Sequence, residues 1–157
     1  MFDTSEIFDS RDVAAYIAQQ CREKGIEYNN TKIQKLLYCV YGVVLAEFGK
    51  RICDERPKAW PYGPVFPKVF KYIHKGENMD MYSTRLKKEL SEEEKNVIDE
   101  VLSFFGKYMA TQLSSWSHRP GSPWSKVVKD EGTGWNVVLR DEDIRNYFKG
   151  HVLANEN

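Results

Sequence analysis

His118 is the residue whose type best suits proton transfer, and it ends the run Ala110-Thr111-Gln112-Leu113-Ser114-Ser115-Trp116-Ser117-His118. An imidazole titrates near neutrality and can deprotonate a hydroxyl or thiol within hydrogen-bond reach. The hydroxyls of Ser114, Ser115 and Ser117 lie close in sequence. Yet there is no Gly-x-Ser-x-Gly elbow, no glycine-rich phosphate loop and no His-Glu-x-x-His. The expected role of His118 is therefore structural, its ring nitrogens tying two loops together. Cys21, Cys39 and Cys53 form no Cys-x-x-Cys pair, so neither a zinc site nor a disulfide framework is expected. Cys21 and Cys39 fall in apolar helical registers and read as small hydrophobic residues. Glu92, Glu93 and Glu94 follow Ser91 in a capping-box pattern, which suits a helix start rather than a carboxylate pair. No catalytic residue, metal or cofactor is expected.

Binding chemistry is better represented. Trp60, Tyr62, Trp116 and Trp124 stand in or beside proline-rich stretches. Such aromatics serve either as lids on a core or as anchors of a protein interface, where a ring with a polar tip suits a half-wet contact. The segment Lys50–Pro67 holds four prolines, which exclude a regular helix or a central strand. It is also too apolar for a flexible linker, so an ordered loop laid over a helical core is expected. Ordered loops on rigid scaffolds are where binding usually resides.

The elements that must position these residues are mostly helices. Val13, Tyr16, Ile17 and Cys21 predict a helix over Asp12–Lys24, with Ser10 as cap and Gly25 as left-handed stop. Ile33, Leu36, Leu37, Val40 and Val44 form one stripe of a second helix, Thr31–Phe48. Tyr38, Tyr41, Leu45 and Phe48 carry its apolar surface around the cylinder, which marks it as the central buried element. Gly42 inside it suggests a close helix approach. Pro67 opens a third helix to His74 with Val69, Phe70 and Ile73 inward. A short strand is expected at Met79–Thr84. A fourth helix runs from Ser91 to about Tyr108, and a short one covers Ala110–His118. Arg119 to Trp124 reads as a breaker and Trp135–Leu139 as a short strand. A last helix, capped by Asp141, runs Glu142–Lys149 with Ile144, Tyr147 and Phe148 inward. The fold expected is mainly α: one compact helical domain over 1–157, its core about residues 10–150, with minor short β elements.

The chain has 157 residues, enough for a real core, and 23 basic against 23 acidic side chains. The zero net charge disfavours a nucleic-acid binder, but it hides a pattern. Residues 1–30 carry −3, residues 31–75 carry +6 and residues 76–157 carry −3. The basic middle coincides with the central helix and the proline-aromatic loop, and could be a solvated face or a docking face. No secretory signal or membrane span is visible, so a cytoplasmic protein without membrane contact is expected.

Three motifs, in order, resemble signatures of one family. Ile33-Gln34-Lys35-Leu36-Leu37-Tyr38 resembles an apolar-Gln-Lys-Leu-Leu-Tyr signature. Ala59-Trp60-Pro61-Tyr62-Gly63-Pro64-Val65 resembles Ala-Trp-x-Tyr-Gly-Pro-Val. Ser117-His118-Arg119-Pro120-Gly121-Ser122-Pro123-Trp124 resembles Thr-His-x(4)-Pro-Trp. Together they are similar to the Panacea antitoxin domain, also called SocA-like, found in prophage-associated proteins and toxin–antitoxin operons. Ser117 replaces a Thr, and Pro61 stands where a basic residue is common. The resemblance implies a non-enzymatic antitoxin that neutralises a toxin encoded beside it by direct contact. One branch of the family instead delivers its toxin to a Clp-type protease, and a prophage-encoded nucleic-acid-associated protein is the remaining alternative. A domain beginning within about ten residues of Met1 leaves no expectation of a preceding DNA-binding domain. Partner binding is expected at Arg56, Lys58, Trp60, Tyr62, Gly63 and Pro64. Gln34, Lys35, Tyr38, His118, Pro123 and Trp124 are motif residues with a structural or functional role.

Overall fold

The structure, a computed structural model, describes residues 7–74, 86 and 89–153. Helix α1, Ser10–Lys24, is capped by Asp9, whose carboxylate accepts from the Arg11 backbone N–H. Ser10, expected as the cap, lies inside the helix because its backbone N–H and hydroxyl donate to Asp54 and Glu55 instead. Gly25 takes the left-handed conformation (φ 69°) and stops the helix as expected.

Helix α2, Asn30–Phe48, is the centre of the fold. Every residue from Lys32 to Ala46 is buried, and α1, four of the later helices and the second strand of a hairpin pack around it. Each fully buried Leu, Ile or Val contributes about 1.5–3 kcal/mol of transfer free energy before ordering entropy is subtracted. Asn29 caps its N-terminus by accepting from Lys32 N–H, and Gly49 ends it at φ 66°.

The proline-rich segment departs from the expected loop. Strands β1, Lys58–Trp60, and β2, Gly63–Val65, form an antiparallel hairpin across the two-residue turn Pro61-Tyr62. Pro64 is tolerated because it faces Ala59, whose N–H points away and donates to the Val137 carbonyl at 2.7 Å. The strand expected at Trp135–Leu139 reduces to this bond and a single bridge between Lys58 and Val138.

Helix α3, Pro67–His74, starts on Pro67 as expected. Its buried residues are Val69 and Tyr72, however, whereas Phe70 and Ile73 are only partly buried and line a cavity. The strand expected at Met79–Thr84 lies outside the described residues. Helix α4, Glu92–Phe105, opens on the Ser91–Glu94 capping box and ends at Gly106, short of Tyr108. Helix α5, Ala110–Ser117, follows.

Helix α6, Pro123–Glu131, corrects the reading of Pro123 and Trp124 as part of a breaker. Ser122 caps it by accepting from Ser125 N–H, and Pro123 occupies the first helical turn, where its missing N–H costs nothing. Helix α7, Asp141–His151, begins one residue earlier than expected. Asp141 is not its cap, because its carboxylate accepts from the Tyr41 hydroxyl at 2.6 Å and from Arg51 Nε at 2.7 Å. This pair fastens the start of α7 to the middle of the central helix. The architecture is mainly α, with seven helices and one two-stranded sheet among the described residues.

Candidate partner-binding face

The hairpin is held by its backbone. Three alternate carbonyls, those of Trp60, Tyr62 and Pro64, each accept a hydrogen bond from a different helix. Trp124 Nε1 of α6 donates to Trp60 O at 2.8 Å. Ser114 Oγ of α5 donates to Tyr62 O at 2.7 Å. Lys35 Nζ of α2 donates to Pro64 O at 2.8 Å. Immediately beyond β2, Gln34 makes both amide bonds to one residue. Its Nε2 donates to Phe66 O (3.2 Å) and its Oε1 accepts from Phe66 N–H (2.8 Å). Each such bond contributes about 1 kcal/mol net, and those at Pro64 and Phe66 satisfy buried backbone groups, which need such partners.

The three motifs therefore meet at one place. Gln34 and Lys35 come from the first, the hairpin is the second, and Trp124 comes from the third. Gly63 is required by its backbone (φ 118°), and a Cβ there would lie 2.7 Å from Ser117 Oγ. Ser117 Oγ in turn donates to Ser114 O at 2.8 Å, so the hydroxyl kept at this position is used. Tyr38 lies deeper, with its ring 5.5 Å from Phe148 and 6.3 Å from Trp116. Burial pushes its phenol well above the usual range.

His118 does not tie loops through its nitrogens. Its ring packs 5.3 Å from that of Trp124, and Nδ1 is buried without a hydrogen-bond partner. No three His, Cys, Asp or Glu side chains gather as a metal would require among the described residues.

Of the six residues expected to meet a partner, Tyr62 is 80% exposed and lies at the hairpin tip. Trp60 is partly buried, with its ring centroid 5.0 Å from Phe70 and 4.5 Å from Trp135. Gly63 and Pro64 are buried and act through the backbone. Arg56 turns inward, donating to Leu139 O at 3.0 Å and facing Asp141 at 3.7 Å. Lys58 is partly buried in β1. Trp135, 67% exposed, was not singled out from the sequence. A tryptophan directly after Gly134 in a turn was the available signal.

The basic middle is not an open basic face. Lys32 is buried, donating to Gly106 O at 2.6 Å, and Lys35 is buried on Pro64 O. Lys50 faces Glu94 at 3.1 Å inside the protein. Arg51 and Arg56 are engaged around Asp141, and Lys68 pairs with Asp54 at 2.6 Å. Six of the eight described basic residues in this segment are thus engaged within the chain.

These features define a mainly helical protein that holds an aromatic hairpin rigidly against its central helix. A family profile, "Antitoxin SocA-like, Panacea domain", matches residues 33–125, and this chain belongs to that family. The matched span contains all three motifs and the hairpin with its tethers. The chain is similar to "Antitoxin SocA" of Caulobacter vibrioides (strain NA1000 / CB15N), 27% identical over 155 residues, covering 90% of this chain and 82% of that protein. No solved structure matches it significantly. No helix among the described residues is long and apolar enough to cross a membrane.

Proposed function

We propose that this chain is a non-enzymatic antitoxin that masks a protein toxin by direct binding through the hairpin face. The observation that carries this reading is the pair of exposed aromatics, Tyr62 and Trp135, flanking Trp60 on a hairpin anchored at alternate carbonyls. A ring carried on a fixed backbone has only its own few rotatable bonds to order on binding, and aromatic side chains dominate interface energetics. Membership of an antitoxin family supplies the class of partner.

Co-expression with the product of the adjacent gene tests the proposal. Growth should be arrested by the neighbour alone and restored by this chain, with the two proteins co-purifying. Tyr62→Ala and Trp135→Ala should each weaken the complex about 30-fold, the equivalent of about 2 kcal/mol for an interface anchor. A harmless neighbour, or restored growth without a complex, refutes masking. Restored growth with a shortened toxin half-life would instead indicate delivery to a protease.

A further inference from the structure

A cavity of about 520 Å³ opens between the start of α2, the hairpin and α3. Its walls are Trp60, Tyr62, Val65, Phe70 and Ile73, and Lys35 lies among the α2 residues that complete it. No described lining residue is acidic. Lys35 is only 2% exposed, and its one hydrogen bond is to the neutral Pro64 carbonyl. An ammonium group has three hydrogens to donate, and a buried cation without an anion is unfavourable. No Asp or Glu among the described residues pairs with it. Trp60, which also lines the cavity, has its Nε1 buried with no acceptor. Burial lowers the Lys35 amine to about 8, in keeping with a site that has no anion of its own.

We infer that this cavity receives the C-terminal residue of the protein partner, its carboxylate on Lys35 and its apolar side chain against Trp60, Phe70 and Ile73. This rests on the masking role proposed above. A chain terminus combines a carboxylate and a side chain in one residue, and a chain end enters a cavity without a second strand leaving it. The volume suits one bulky residue with its preceding peptide group. The unpaired cation supplies the charge complementarity, and the apolar walls supply the discrimination between side chains.

Three probes decide the chemistry: N-acetyl-phenylalanine, its amide, and N-acetyl-glutamic acid α-amide. Binding is followed by ¹⁵N NMR of the tryptophan indole groups in the full chain. The free acid is expected to shift the Trp60 indole signal and to bind at least 10-fold more tightly than the amide or the glutamyl probe. Lys35→Met should erase this preference. Thr31→Glu should do the same with the fold kept, because an acidic residue suits the first turn of α2 and lies one turn before Lys35. Equal binding of acid and amide, tighter binding of the glutamyl probe, or no shift with any probe would overturn the inference. A toxin extended by a Gly-Ser tail should bind at least 10-fold more weakly than the native toxin, and unchanged binding would also overturn it. Failure of wild-type protein to bind native toxin would refute the masking role itself, while the small probes still report on the cavity.

Discussion

The ring of Phe148 rests on the bare Cα of Gly42: a Cβ placed there would lie 2.3 Å from Phe148 Cε1. This is the contact through which α7 approaches the central helix. On propensity alone, Gly42→Ala should stabilise α2 by about 1 kcal/mol. The clash reverses the sign, because overpacking a filled core costs about 1–3 kcal/mol. Gly42→Ala should therefore lower stability in urea denaturation, and adding Phe148→Leu should recover part of the loss. A stabilised single variant would show that α7 can move away freely.

Gly63 has two independent requirements, a left-handed backbone and no room for a side chain. Gly63→Ala should destabilise the protein by about 2 kcal/mol, combining backbone strain with the contact to Ser117 Oγ. Ser117→Ala in the same chain should return only the steric part, because φ 118° remains strained for alanine. Thermal denaturation of the two variants checks this, and full recovery in the double variant would assign the whole cost to the hydroxyl.

The central helix was legible because its apolar residues recur on every side of a 3.6-residue period, and burial follows directly from that pattern. The sequence pattern hides helix α6, although Pro123 repeats the helix-opening proline of Pro67 and Ser122 adds a cap. Their position after Pro120 and Gly121 made the whole run look like punctuation. The three motifs were legible as a set, but the reason they meet was not. The acceptors that join them are the backbone carbonyls of residues 60 and 64, and a carbonyl has no letter in a sequence. Segment charge misled in the same way. A sum of +6 cannot distinguish a solvated lysine from Lys32, Lys35 or Lys50, all buried in the fold.

Lys50 and Glu94 form a buried ion pair at 3.1 Å, with side chains 4% and 2% exposed. Glu94 also accepts from Ser91 N–H through Oε1, so one carboxylate both caps α4 and faces the loop after α2. Glu94→Gln keeps an acceptor for the cap but removes the carboxylate charge that faces Lys50 inside the protein. That change should cost about 3–5 kcal/mol, whereas replacing both residues with Met should cost much less. Chemical denaturation of the single and double variants measures the difference. A larger loss in the double variant than in Glu94→Gln would mean that the cap, not the ion pair, carries the stability.

Lys35 gives the pH dependence a definite sign. Its amine is lowered by burial to about 8 in the folded protein from 10.5. Between these values the unfolded chain holds a proton that the folded chain has released. Stability from this group therefore rises with pH across that window. The buried thiols of Cys39 and Cys53 and the phenol of Tyr41, all pushed upward by burial, act in the opposite direction as they ionise. They are common to wild type and Lys35→Met, and Cys39, the one of them coupled to Lys35, stays protonated in the fold across this window, so the difference between the two proteins reports the lysine. Wild type should be at its greatest disadvantage, or smallest advantage, below pH 8 and gain about 3 kcal/mol on Lys35→Met by pH 10.5. A difference that stays flat from pH 7 to 10.5 would mean that water reaches the ammonium, and the cavity would then lack the buried cation on which carboxylate capture depends.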